Sequence, residues 1–155
     1  MTVDAEDPLA FIPHAAAIGM QLVSRGERRC VVRVPYAPHL VGDPDTGVIH
    51  GGVITAVLDN ASGLAVRSEP DGSEVQAMAT LDLRIDYMRP AEPGKDLYTE
   101  AECYRATANI AFVRATAYQD DRADPIATSV ATFMLGPSSG ALGSAAGPPG
   151  GSAKP

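Results

Sequence analysis

The chain has 155 residues, 20% of them charged and 45% hydrophobic, with a formal net charge of −7. That is enough for one domain with a real core, and the acidic balance excludes a nucleic-acid surface, which needs clustered Lys and Arg. No apolar run approaches the ~18 residues of a membrane-spanning helix. The two cysteines, Cys30 and Cys103, lie far apart in apparent strands and read as buried free thiols of a cytoplasmic protein. The histidines at 14, 39 and 50 have no paired ligand spacing, so neither a metal nor a cofactor is expected.

In chain order, residues 1–9 read as a flexible leader, acidic where a secretory signal would be basic. Residues 11–18 are Ala-rich and predict a short helix, with Pro13 confined to its first turn. Residues 20–24 and 29–34 predict a hairpin turning at Arg25-Gly26-Glu27. Residues 35–48, punctuated by Pro38, Gly42, Pro44 and Gly47, read as loop. Over residues 52–67, Val53, Ile54, Val57, Leu58, Ala61, Leu64 and Ala65 recur at i, i+3, i+4, which predicts a helix. Its other positions are mostly small, so the fold should enclose it. Glu69-Pro70-Asp71-Gly72 breaks it.

The period then changes to two. Ala79, Leu81, Leu83, Ile85 and Tyr87 alternate with Thr80, Asp82, Arg84, Asp86 and Met88, predicting a long strand with one apolar and one polar face. Three further strands are expected over 96–105, 111–119 and 126–135. The result is an α+β domain over residues 10–135, a mainly antiparallel sheet with a single long helix. Residues 136–155 are Gly, Ala, Ser and Pro with one Leu and one Lys, and read as a disordered tail.

Within the apolar helix stands one carboxylate, Asp59. It is costly to desolvate unless paired, hydrogen-bonded or partly wet. A structural reading pairs it with an arginine such as Arg84; a chemical reading makes it a base or nucleophile. Gly51 and Gly52 at the helix start would supply free backbone N–H groups and the positive end of the helix dipole, with no side chain to keep a ligand away. Eight residues of helix separate Gly51 from Asp59, roughly 12 Å. A carbon under attack sits within ~3.5 Å of the attacking group. One helix therefore cannot present both groups to one reacting carbon, and a two-fold dimer with antiparallel neighbouring helices would do so twice.

His50-Gly51-Gly52, Asp59 after six further residues, Gly47 upstream and the strand end Tyr87-Met88-Arg89-Pro90-Ala91 together resemble the PaaI-type branch of the hotdog-fold acyl-CoA thioesterases. The resemblance covers roughly residues 10–135. It implies a sheet wrapped around one central helix, and hydrolysis of an acyl-CoA by a homodimer, alone or paired into a tetramer, whose subunits contribute the carboxylate and the glycine separately. By the same resemblance Asp59 is general base or nucleophile, the Gly51 N–H polarises the carbonyl, His50 helps position the thioester, and Thr80 sets a hydroxyl beside the carboxylate. Read from alternation alone, Thr80 is a strand threonine on the polar face, and His50 is a helix cap or interface residue. Gly52, Asp45, Asn60, Arg84 and Arg89 are the expected substrate contacts, with Arg89 best placed for CoA phosphates among Arg67, Arg84, Lys95, Arg105 and Arg114. Asn60 alone reads as a helix-surface residue facing elsewhere.

One position departs from the family. Six residues before the His, where better-known members carry an Asn or another polar group, this chain has Pro44 between Asp43 and Asp45. Either Asp45 substitutes, or Thr80 and backbone hold the water. The departure keeps open a non-catalytic acyl-CoA-binding module, while a hydratase would want its His and carboxylate placed otherwise.

Overall fold

The switch from a helical to a two-residue period becomes one helix laid across one sheet. The structure, a computed structural model, describes residues 8–68 and 77–136. Of the leader read over 1–9, residues 1–7 lie outside the described residues, as do the breaker at 69–72 and the tail beyond 136, whereas Leu9 is buried in the core, so the leader ends earlier than expected. The elements are α1 (Pro13–Ala17), β1 (Gln21–Gly26), β2 (Arg29–Val34), β3 (Val41–Asp43), β4 (Val48–Ile49), α2 (Gly51–Val66), β5 (Met78–Tyr87), β6 (Leu97–Ala106), β7 (Ile110–Tyr118) and β8 (Ala127–Leu135).

Six strands form one antiparallel sheet in the order β1-β2-β6-β7-β8-β5, and β3 with β4 makes a separate small hairpin. The helix α2 packs chiefly on β6, β7 and β2, and less on β8 and β5. The buried positions of the sheet mix small residues (Ala101, Ala111, Ala115, Ala117, Ala127 and Ala131) with larger ones such as Val32, Leu97, Val113 and Phe133. Ile54, Val57, Leu58 and the unbroken stretch Ala61 to Val66 are buried around the helix, the enclosure its small residues predict. The fold is the α+β hotdog arrangement. No described helix is long and apolar enough to cross a membrane.

Three local readings are corrected. The first hairpin turns at Glu27 and Arg28, both with positive φ (24° and 61°), while Gly26 pairs with Arg29 as the last rung. Two left-handed residues suit the right-handed twist of the flanking strands. The segment read as loop over 35–48 contains the β3–β4 hairpin, closed at Asp43: its carboxylate accepts from the Asp45 N–H and the Thr46 hydroxyl, and its carbonyl from Gly47 N–H. Pro44 is a residue of that turn. Finally, β5 carries a bulge between Thr80 and Asp82, which breaks the expected alternation and matters below.

The β2 end and the β6 start are tied by one carboxylate. Asp96 accepts from Tyr36 N–H at 2.9 Å and from Arg33 through Nε (2.9 Å) and Nη2 (2.6 Å). The Tyr36 amide first, and the Arg33 guanidinium second, hold Asp96 below the ordinary carboxylate range. A depressed folded-state pKa contributes stability that is present above the unfolded value near 4 and lost as pH falls through the folded value. Asp96→Asn should therefore cost about 1 kcal/mol at pH 7, discounted for partial exposure. It should also shrink the loss of melting temperature between neutral pH and the range below pH ~4. Thermal melts of both proteins at the two pH values check this; an unchanged acid profile would refute it.

Candidate active site

The start of α2 is fixed from three sides. His50 is the N-cap, with extended backbone, and its imidazole Nδ1 accepts from Gly52 N–H at 2.9 Å. A Cβ on Gly52 would lie 2.8 Å from that nitrogen, so the ring can fold over the helix end only because residue 52 has no side chain. His50 N–H donates to the Leu40 carbonyl at 2.9 Å, and a Cβ on Gly42 would lie 2.8 Å from His50 Cα. The β3–β4 hairpin therefore backs directly onto the cap. With Nδ1 as acceptor, a neutral His50 ring carries its proton on Nε2.

The expectation that both glycine amides are free holds for one of them. Gly52 N–H is taken by His50 and Val53 N–H by the His50 carbonyl. Gly51 N–H has no partner among the described residues, and Gly51 is exposed at the positive end of the helix. On its other side, Tyr87 at the end of β5 donates its hydroxyl to the Gly51 carbonyl at 2.9 Å and lies 2.7 Å from the Thr55 hydroxyl. Thr55 also donates to the Gly51 carbonyl at 3.1 Å. Sequence reading missed Tyr87 and Thr55 as supports of this turn. The available signal was a phenol on the apolar face of a strand, which needs a polar partner there.

Two turns on, Asp59 is half-buried, and Thr80 Oγ1 donates to its Oδ1 at 3.0 Å. The bulge makes this contact. Thr80 pairs with Phe133 and Leu83 with Ala131, two buried residues on the helix side of β8. Residues three apart on β5 thus share the helix face, with Leu81 the extra one between them. Strict alternation would have turned Thr80 outward with Asp82 and Arg84, as any one-residue slip does. Asp59 has no ion pair among the described residues. The arginine suggested as its partner, Arg84, pairs instead with Asp86 at 3.0 Å.

Asp59 and Thr80 open onto a cavity of about 380 Å³ whose wall also includes Asn60, Gly63, Leu64, Arg67, Arg25 and Met78. Asn60 does not face elsewhere: it lines the same cavity, its Nδ2 donating to the Ala56 carbonyl at 2.9 Å. The other expected substrate contacts do not converge there. Arg84 is exposed in its pair with Asp86. Arg89 lies beyond Tyr87, its Nε 3.0 Å from Asp124 and its Nη2 donating to the Asp124 carbonyl. Asp45 is exposed in the β3–β4 turn, its N–H given to Asp43. Gly51 and Asp59, at opposite ends of the first half of α2, are separated by the expected roughly 12 Å.

A single central helix carrying a carboxylate, enclosed by a six-stranded antiparallel sheet, defines a hotdog domain of PaaI type. The family model described as the thioesterase superfamily matches residues 46–126, which span the helix, the bulged strand and both ends of the site. The chain belongs to the thioesterase superfamily, and the activity that goes with it is thioester hydrolysis. It is 28% identical over 136 residues to the medium/long-chain acyl-CoA thioesterase YigI of Escherichia coli, covering 81% of this chain and 86% of that one. It is 33% identical to a Halobacterium salinarum protein whose esterase name is provisional, over 83% of this chain and 82% of that one. Among solved structures, a Pseudomonas aeruginosa protein is 43% identical and superposes with a TM-score of 0.73, covering 81% and 92% of the two chains.

The cap geometry carries a direct test. His50→Ala leaves the Gly52 amide without its acceptor, so stability should fall by about 1 kcal/mol and the Gly52 amide should exchange with solvent faster. Asn at position 50, a side chain that caps well, should restore both. Hydrogen exchange resolved at Gly52, with thermal melts, reads the outcome; unchanged exchange in His50→Ala would contradict the cap.

Proposed function

We propose that the protein hydrolyses the thioester of a medium-chain or aryl acyl-CoA, with Asp59 delivering the attack and Gly51 N–H of a second subunit polarising the carbonyl. The observation that carries this reading is the division of labour along α2. Among the described residues, one end offers an amide without a partner, and the other a carboxylate whose side-chain partner is a hydroxyl. A thioester carbonyl gains negative charge on oxygen as its carbon is attacked, so a fixed N–H at the positive helix end stabilises that oxygen. Asp59 either removes a proton from the attacking water or adds to the carbon itself, forming an anhydride that water opens. Thr80 Oγ1 orients the carboxylate in both versions. The carbonyl collapses with loss of the CoA thiolate, which leaves as thiol beside a free acid.

The dimer follows from distance. The two groups on one helix are too far apart for one thioester, so each site needs two copies. The outer edge of β5 supports such a pairing. It is a ten-residue edge strand, paired with β8 on one side and with no strand on its outer side among the described residues, and an unpaired edge invites another strand. Two copies joined there could bring their helices alongside one another in opposite directions, whether or not such dimers then pair into tetramers. The apolar lining of the cavity and the substrate named for the Escherichia coli relative support a medium-chain acyl group. We place the enzyme in the cytoplasm because its two cysteines are both buried and form no disulfide among the described residues, which suits a reducing compartment.

Release of thiol from acetyl-, hexanoyl-, decanoyl-, benzoyl- and phenylacetyl-CoA tests the reading. Wild type should turn over at least one ester, and Asp59→Asn should lose at least ~10²-fold in kcat while remaining folded and of unchanged oligomeric state. Wild type that binds these esters without releasing thiol would instead be the acyl-CoA-binding module that Pro44 left open.

A further inference from the structure

The cavity beyond Asp59 ends in cations that the hydrolytic reading does not use. Its wall passes from Asp59 and Thr80 along Leu64, Met78 and Phe133, with Leu9 and Ile12 also lining it, and reaches Arg67 and Arg25. Arg25 is anchored: its Nε donates to Ser68 Oγ at 2.9 Å and its Nη2 to the Arg67 carbonyl. Those bonds answer the negative end of α2, so helix capping accounts for Arg25. It does not account for Arg67, whose guanidinium is exposed and has no ion pair among the described residues. Most of the other basic side chains near the sheet are committed: Arg29 to Glu102, Arg33 to Asp96, Arg84 to Asp86, Arg89 to Asp124, Arg122 to Glu100.

Resting on the thioesterase reading, we propose that the acyl group bound here ends in a carboxylate gripped by Arg67, so that the substrate class is an ω-carboxyacyl-CoA, the mono-thioester of a dicarboxylic acid. Arg67 is eight residues beyond Asp59, about 12 Å along the helix. At ~1.2 Å per bond of extended chain this spans roughly eight to ten carbons. A shorter diacid would bring its free carboxylate toward Asp59, where like charges repel. An unsubstituted chain of the same length would press its methyl end against a guanidinium and desolvate it without return.

The alternative occupant, the pantetheine arm of CoA on its way to a phosphate at Arg67, fits the wall poorly. That arm carries two amides, and the stretch between Asp59 and Arg67 offers them a single amide side chain, Asn60, one of whose Nδ2 hydrogens is given to the Ala56 carbonyl. Unpaired amides against Leu64, Met78 and Phe133 would cost binding. An alkyl chain needs no polar partner there.

The test compares kcat/KM for decanoyl-CoA and for the mono-CoA ester of decanedioic acid, in wild type, R67Q and R67K. The ω-carboxy ester should be preferred by wild type at least ~10-fold, through KM. The R67Q substitution should bring the ratio close to one, and R67K should keep most of it. Equal rates in wild type, or a preference for decanoyl-CoA, overturn the carboxylate terminus while leaving thioester hydrolysis standing. An R67Q effect that raises KM equally for both esters also overturns it, because Arg67 would then hold CoA. If wild type hydrolyses neither ester nor any other acyl-CoA, the thioesterase reading itself has failed.

Discussion

The absence of a Cβ at residue 52 organises the start of the helix. A methyl group there would meet the His50 ring at 2.8 Å. Without it the imidazole closes over the helix end and takes the Gly52 amide, while the Tyr87 and Thr55 hydroxyls hold the Gly51 carbonyl. Two adjacent glycines would ordinarily be the least ordered residues in a helix. Here their neighbours immobilise them and leave a single amide unclaimed. A donor that stabilises developing charge must be fixed before the charge appears, and this turn is fixed by the bonds to Gly52 N–H and to the Gly51 carbonyl, while Gly51 N–H has no partner among the described residues.

The second organising feature is an extra residue. Helix α2 and all six strands of the large sheet were legible in the sequence, since burial on one face imposes the alternation that a reader counts. The bulge at Leu81 was not, because a bulge is a fault in that very alternation. Counting by twos from Leu83 puts Leu81 inward and Thr80 outward; the real strand does the reverse at Thr80. The Glu27–Arg28 turn was hidden for a related reason. Gly26 is the obvious turn residue, yet the register Gly26↔Arg29 places the left-handed conformation on two residues that rarely adopt it. The β3–β4 hairpin was too short to show a period and is closed by Asp43 side-chain bonds that composition cannot reveal. Asp59 and Gly51 stand out in the sequence because their chemistry is unusual for their setting. Tyr87 and Thr55 look ordinary until the strand register and helix face bring them to the start of α2.

Pro44 takes on a definite meaning in this light. The Asp43 carboxylate and carbonyl close the turn, and proline at the next position fixes φ without removing any N–H the turn uses. The segment before His50 is thereby built for rigidity. A polar residue at 44 would hold water; the proline instead stiffens the hairpin that backs the cap. The hydroxyl that does reach the Asp59 carboxylate is that of Thr80, delivered there by the bulge.

Charge is distributed in the same economical way. With a net charge of −7, free cations are scarce, and acidic partners claim Arg29, Arg33, Arg84, Arg89, Lys95 and Arg122. Among the described residues Asp59 is left with a hydroxyl instead of a cation, so its charge is not spent on an ion pair. The cations that reach the cavity stand at its far end, two turns of helix away. A carboxylate at one end and arginines at the other give the cavity a polarity along its length, and an apolar ligand alone would have no use for it. An acyl chain that presents an electrophilic carbon to Asp59 and an anion to Arg67 matches both ends at once.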